Sequence, residues 1–479
     1  MNMIPQDVNL YCMLPEIILL TGATLLLFIR GVGRGQGIVP VAGLSVIAAL
    51  AAVCYLWDRG TSGFGGLIMK DNGALLFQAM ILTTALISFV LARDFLPDHK
   101  NTGEYYSLLL FSLIGMGIMT STGDLLVIFL GIEILSLSLY VLVGFMKVVR
   151  AGMEGAVKYF LLGSFASALF LLGLSLFYGA TGTTGLTAFA APTAAPALLL
   201  AGAALMLVGL GFKIAAAPFH MWAPDAYEGA PICVASFLSV APKIAVFAVL
   251  LHFGTGISGS GRNLIFAAVI FMSVASMVIG NFTALRQSGL VRMLAYSGIA
   301  QAGYILIGLL AIPEGGASAV AFYLAVYIFM NMGAFASVAH LSRRQEQALQ
   351  IDDLAGLASR HPWHAFALAV FMISLAGIPP TGGFFAKFYL FKVGIEAGYL
   401  SVVLIAIIAT IVSFFYYLRV VMVMYMTAAG EGLLPLPAGV TMIGVMIAAI
   451  VIMTFLAGIM PDQFLRSAVM AFPLIIPGA

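Results

Sequence analysis

Residues 211–231 read GFKIAAAPFHMWAPDAYEGAP, and residues 374–388 read SLAGIPPTGGFFAKF. Both lie inside long apolar runs, and both are interrupted. The first holds Pro218, Pro224 and Pro231; the second holds Pro379, Pro380, Gly382 and Gly383. Proline removes a backbone donor and clashes with the preceding helical turn. At membrane depth, non-helical backbone is tolerated only inside protein or beside a wet cavity. Each interruption also sits near a lysine: Lys213 about one turn before Pro218, Lys387 about two turns after the Pro379–Pro380 pair. Two broken helices, each with a deep cation, decide the fold class. This is an all-α, polytopic membrane protein in which the seventh and twelfth helices are discontinuous.

The composition agrees. Of 479 residues, 62% are hydrophobic and 8% charged, where a soluble domain carries about 25% charged residues. Apolar runs bounded by charge, glycine or proline predict about 14 transmembrane helices: 12–29, 38–57, 74–92, 105–122, 125–146, 156–178, 196–217, 231–253, 263–285, 292–311, 318–341, 363–391, 400–426 and 437–460. Most are long enough for a hydrocarbon core of roughly 30 Å. The two breaks fall about 160 residues apart. That spacing puts them at matching places in two five-helix units, a pattern that points to a transport site. The expected division is 1–104 (three helices), 105–253 (first unit), 263–426 (second unit) and 427–479 (last helix and tail). The residue-level repeat is faint: Tyr140 and Tyr304 align, but Glu133 falls against Ser297.

Net charge of +2 and the absence of a basic tail exclude a nucleic-acid partner. The partners expected are the lipid bilayer, protons and channel water. Cys12, Cys54 and Cys233 have no metal-site spacing. The opening MNMIPQDVNLYCM lacks a positive n-region and a small-residue cleavage site, so no removable signal is expected. Orientation follows the loop cations. With the amino terminus outward, Arg30, Arg34, Arg93, Lys100, Lys147, Arg150, Arg286, Arg292, Arg343, Arg344 and Arg360 lie inward. Arg59, Lys70, Arg262, Lys392 and Arg466 lie outward. Both termini are therefore expected on the outward, periplasmic-type side.

The chemistry lies in misplaced charge. Twelve of thirteen arginines sit in loops or at helix ends, with Arg419 the exception. Four of eight lysines, Lys158, Lys213, Lys243 and Lys387, sit inside apolar spans, as does Glu133. A charge at the centre of a membrane helix costs roughly 2.5–3.5 kcal/mol on insertion scales, so five imply on the order of 10 kcal/mol. Arginine is a fixed cation, whereas a desolvated lysine can lose and regain a proton. A Glu–Lys pair whose separation changes can thus pass a proton along. The alternative for each lysine is a structural bond to a backbone carbonyl. It is strongest for Lys158, which lies in the first turn of its expected helix and is able to snorkel. His220 at the first break is suited to relay near neutral pH. Tyr296, Ser297 and Gln301 are suited to bond channel water; packing is the plainer reading.

Four segments in this order, LGIEILSLSLY (130–140), GFKIAAAPFHMWAPDAYEGAP (211–231), VAPKIAVF (240–247) and AGIPPTGGFFAKF (376–388), resemble the antiporter-like subunits of NADH:quinone oxidoreductase, respiratory complex I. The likeness spans nearly the whole chain, and the family is related to subunits of multisubunit cation/proton antiporters. The N-type subunits match best. M-type subunits typically carry glutamate where this chain has Lys387, and L-type subunits carry a long carboxyl-terminal extension. The resemblance implies two inverted five-helix repeats, each with a half-channel. It implies a proton relay through Glu133, Lys213, Lys243 and Lys387, with Lys158 less settled. It also implies quinone reduction elsewhere, so that this chain is a non-redox subunit of a proton-translocating enzyme in a bacterial inner membrane. No cofactor is expected here; FMN, iron–sulfur clusters and quinone belong to other subunits. The implied partners are M-type and small K- and J-type subunits. Three readings stay open beside it: a Na⁺ or K⁺/proton antiporter subunit, a structural spacer that moves nothing, and a quinone-binding chain.

Overall fold

The computed structural model describes residues 8–31, 37–95, 101–146, 150–190, 193–256, 261–342, 349–428 and 441–472. Arg34, Lys100, Lys147, Arg343 and Arg344, which figured in the reading of the loops, lie outside them. The helices are α1 Leu14–Gly31, α2 Ile38–Leu56, α3 Asn72–Phe95, α4 Thr102–Thr120, α5 Leu125–Val143, α6 Arg150–Thr181, α7 Pro196–Lys213, α8 Trp222–Gly229 and α9 Ile232–Gly256. They continue as α10 Gly261–Ala284, α11 Leu290–Leu310, α12 Gly316–Leu341, α13 Leu357–Arg360, α14 Pro362–Ala376, α15 Gly382–Glu396, α16 Leu400–Met426, α17 Met442–Ile459 and α18 Pro461–Ala471. Between α2 and α3 lies an antiparallel hairpin, β1 Thr61–Gly63 and β2 Ile68–Lys70.

Among the described residues, twelve helices are long and apolar enough to cross a membrane. The other two expected spans correspond to α4 and to the divided pair α14 and α15. The seventh expected span, 196–217, ends early, at Lys213. The sixth, expected at 156–178, begins at Arg150 and runs to Thr181. Lys158 is therefore two turns inside its helix rather than in the first.

Burial sorts the helices. The apolar windows of α9, α11 and α12 are 100%, 94% and 89% buried, against 39% for α1, α2, α6, α16 and α17. A helix that is apolar all round belongs at the centre, and the central helices α9 and α11 carry Lys243 and Ser297. Helices approach closely where side chains vanish. A Cβ on Gly202 of α7 would lie 2.7 Å from the Gly173 carbonyl of α6, and a Cβ on Gly173 would lie 2.6 Å from the Gly202 carbonyl. Small residues let membrane helices pack by van der Waals contact, since lipid supplies no hydrophobic drive between them.

Both breaks are present. After α7 the chain turns through Ala215, at φ 56°, into the cis Ala217–Pro218 bond and then into α8. After α14 it turns through Gly377, at φ +86°, and the cis Pro379–Pro380 bond into α15. The freed backbone is answered from neighbours: the Ala217 N–H donates to Ser276 Oγ of α10 at 2.8 Å.

Gly202→Leu is expected to force α6 and α7 apart and to cost about 1–3 kcal/mol, as overpacking does. Gly43→Leu, where an added Cβ meets nothing within 4 Å, is the matched control. Melting temperatures in detergent should fall for the first and hold for the second.

Candidate functional site

The first cluster is built on one face of α5. Glu133, Ser136 and Tyr140 follow at spacings of three and four, which stacks them on one side of a helix. Lys213 is the last residue of α7 and only 4% exposed. Its ammonium sits at the negative end of the helix dipole. Nζ donates to Ser136 Oγ at 2.6 Å and to Tyr140 OH at 3.4 Å. Ser136 in turn donates to the Ile132 carbonyl. Glu133 lies one turn before Ser136 on the same face, and its Oε1 is buried without a hydrogen-bond partner. The Trp222 indole N–H donates to the Phe212 carbonyl at 3.0 Å, and its ring stacks on Tyr159. Those contacts fasten α8 beneath the broken end of α7.

The second cluster joins Lys243 and Lys387. Lys243 follows Pro242 in the buried helix α9 and donates to the Gly298 carbonyl of α11 at 2.7 Å. A Cβ at position 298 would lie 3.0 Å from that Nζ and 3.2 Å from Tyr327 OH, so glycine makes room for the bond. Beside it, Ser297 shares a hydrogen bond with Tyr417 OH of α16. Gln301 Nε2 donates to Tyr417 OH at 3.2 Å and to the Leu375 carbonyl at 3.2 Å, and Tyr323 OH donates to Gln301 Oε1. Lys387 closes the chain. Its Nζ donates to the Leu375 and Ala376 carbonyls at 3.1 and 2.9 Å. Those carbonyls end α14, and the break at Gly377 frees them; a cation at a helix C-terminus is electrostatically matched there. The Tyr304 ring lies 4.9 Å from the same ammonium.

The structure therefore brings Lys213 to the α5 face that carries Glu133, through Ser136 and Tyr140. It links Lys387 through the Leu375 carbonyl and Gln301 to Tyr417 and Ser297, next to the Gly298 carbonyl that Lys243 binds. Lys158 stands apart. It is half-buried, its side chain 44% exposed, and pairs with Glu154 at 2.6 Å and Asp225 at 2.8 Å. Asp225 also binds Arg292, which reaches Glu228, both at 2.8 Å. Lys158 thus belongs to a charged lattice between α6, α8 and α11 and does not join the buried lysines. His220 is half-buried in the first break, after the exposed Pro218. Tyr296 is half-buried against apolar neighbours. Arg419 donates to the Gln287 carbonyl at 3.3 Å, at the end of α10. Tyr417 and Tyr323 were not singled out from the sequence; a tyrosine on an apolar helix carries no signal beyond its hydroxyl. Among the described residues no group of three or more His, Cys, Asp or Glu is placed to hold a metal.

Residues 122–413 match the family model described as NADH:quinone oxidoreductase/Mrp antiporter, transmembrane. A relative from Solibacter usitatus, NADH-quinone oxidoreductase subunit N 1, is 41% identical over 439 residues, 89% of each chain. Subunit N from Trichlorobacter lovleyi is 40% identical over 494 residues, 98% of each chain. Among solved structures, a chain of respiratory complex I from Thermus thermophilus with bound aureothin superposes with a TM-score of 0.83. It is 33% identical, and the match covers 94% of this chain and 98% of that one.

Asp225→Asn removes the shared partner of Lys158 and Arg292, whereas Glu154→Gln removes only an exposed partner of Lys158. The first should lower the melting temperature more than the second. The gap should narrow in high salt, which screens exposed charges.

Proposed function

The chain belongs to the NADH:quinone oxidoreductase/Mrp antiporter transmembrane family, and on that premise we propose that it is an N-type, proton-translocating subunit in the membrane arm of an NADH:quinone oxidoreductase. It carries protons through Glu133, Lys213, Lys243 and Lys387, while quinone reduction elsewhere supplies the energy. FMN, iron–sulfur clusters and quinone sit on other subunits. M-type and small K- and J-type subunits are its neighbours in a bacterial inner membrane, and both termini face the periplasm. The units 105–253 and 263–426 act as the two inverted repeats, flanked by 1–104 and 427–479.

One observation carries the relay. Lys213, Lys243 and Lys387 are 4%, 2% and 4% exposed, and every hydrogen bond they make goes to a hydroxyl or a carbonyl. A structural lysine also bonds backbone carbonyls, as Lys243 and Lys387 do; what favours the relay is that, among the described residues, none of the three is held in an ion pair with a carboxylate. Neutral acceptors accommodate an ammonium and, with small rotations, an amine. The side chain can then hold or release a proton without stranding a buried carboxylate. Among the described residues, Glu133 is the acid on the α5 face that Lys213 meets through Ser136 and Tyr140. As charges near the first cluster change, a proton on Lys213 Nζ passes inward along the membrane plane to Lys243. From there the Ser297–Tyr417–Gln301 hydroxyl and amide chain leads to Lys387. The reading as a sodium or potassium carrier is weaker, because three ammonium groups on the path repel a metal cation.

In the complex reconstituted into vesicles, Lys213→Ala, Lys243→Ala and Lys387→Ala should each slow NADH-driven proton transport by roughly tenfold or more, as loss of a proton-transferring group does. Lys387→Arg should not rescue, since guanidinium does not give up its proton. Pumping per electron at the level of the unaltered complex in all four variants would contradict the relay. Dependence of transport on sodium would favour the antiporter reading.

A further inference from the structure

The first three helices hold a charged pair that the lysine line does not use. Lys70, read from the sequence as an outward loop cation, is 1% exposed, and Glu16 on α1 is 3% exposed. Lys70 Nζ donates to Glu16 Oε1 at 2.6 Å and to Gln78 Oε1 of α3 at 2.9 Å. Gln78 Nε2 donates to the same Glu16 oxygen at 2.8 Å. Glu16 Oε2 is buried with no hydrogen-bond partner. The hairpin does not need this pair as a staple. Asn9 Nδ2 already donates to the Ser62 carbonyl at 3.0 Å, and the Met69 N–H donates to the Ser121 carbonyl at 2.7 Å.

A cavity of about 330 Å³ lies near the pair but is not lined by it. Met69 and Asp71, which flank Lys70, line it, with Thr120, Ser121 and Thr122 at the end of α4 and His252 at the end of α9. A single turn of α4 separates pair from cavity. A Cβ on Gly117 would lie 2.7 Å from both Gln78 Nε2 and Glu16 Oε1. Thr120 and Ser121 are among the cavity's lining residues, and their hydroxyls both donate to the Gly117 carbonyl, at 2.9 and 2.7 Å. The titratable groups nearby are Cys12, on which both charges act, and Asp71 and His252 at the cavity. His252 Nδ1 is buried without a hydrogen-bond partner.

We propose that Glu16, Lys70 and Gln78 form a second proton-exchanging site, outside the two repeats, which delivers protons to water on the outward face through the Asp71–His252 cavity. The step rests on the proton-carrying reading of the chain. The Lys70 Nζ–H bond breaks as an Oε1–H bond forms on Glu16, leaving amine and carboxylic acid with no change in net charge. The carboxyl proton then passes to a water molecule that enters from the cavity, giving hydronium and a carboxylate. The Lys70 amine takes a proton from the next hydronium to arrive, releasing water and restoring the ion pair. Gln78 keeps both partners hydrogen-bonded in either state, accepting through Oε1 and donating through Nε2.

The test uses the whole complex in vesicles. Replacing one member alone would leave a lone buried charge, so the informative variant is the double one, Glu16→Met with Lys70→Met; apolar replacement of an entire buried pair is often well tolerated. We expect an assembled complex whose NADH-driven proton transport is slowed on the order of tenfold, as when a proton-transferring group is lost. Gly123→Trp is the second variant. Gly123 lines the cavity and an added Cβ there meets nothing within 4 Å, so the substitution is aimed at occupying the cavity and leaves the pair's own residues unaltered; the same slowing is expected. Lys213→Ala runs in parallel. If it slows transport while an assembled double variant or Gly123→Trp pumps like the unaltered complex, the second site is overturned and the relay stands. If Lys213→Ala also leaves pumping unchanged, the relay itself fails. Should the double variant not assemble, Gly123→Trp decides alone.

Discussion

An ammonium group inside a membrane protein must find acceptors, and here the broken backbone supplies many of them. An intact helix spends its carbonyls on its own ladder. A helix that stops in the membrane leaves its last carbonyls free. The stop after Ala376 does this for Lys387, which binds the Leu375 and Ala376 carbonyls. The stop after Lys213 places that residue at the negative end of α7, where Ser136 and Tyr140 meet it. Lys243 has no break of its own. It depends instead on Gly298, the one residue type that leaves space for the ammonium against α11.

This arrangement yields two clusters rather than one continuous line. Glu133, Ser136, Tyr140 and Lys213 form the first. Lys243, Gly298, Ser297, Tyr417, Gln301 and Lys387 form the second. Among the described residues, side-chain hydrogen bonds run within each cluster and do not bridge Lys213 to Lys243. The separation suits a relay that must not leak: a permanent wire would let protons run backwards, whereas a gap that opens with the state of the neighbouring subunit lets them pass once.

The buried lysines and both helix breaks were legible in the sequence because each violates a strong rule: charge does not belong in an apolar span, and proline does not belong in a helix. Tyr417 and Tyr323 were harder, since polar atoms on amphiphilic side chains break no rule until a partner is seen across the bundle. Lys158 was misplaced by a boundary. Six more residues of α6 at its start put it beside Asp225, with nearly half its surface exposed. Lys70 failed in the opposite direction. It lies in TSGFGGLIMKDN, a glycine-rich hairpin that reads as exposed loop, yet the hairpin folds inward and presents the lysine to Glu16.

The central claim is that protons cross between the two clusters, and the most direct measurement is a high-resolution density map of the assembled complex in lipid. The account predicts ordered waters linking the Lys213 ammonium to Lys243, with the chain continuing through Ser297 and Tyr417 toward Lys387. Apolar side chains in close contact between Lys213 and Lys243, with no room for water in either the resting or the turning-over complex, would contradict it.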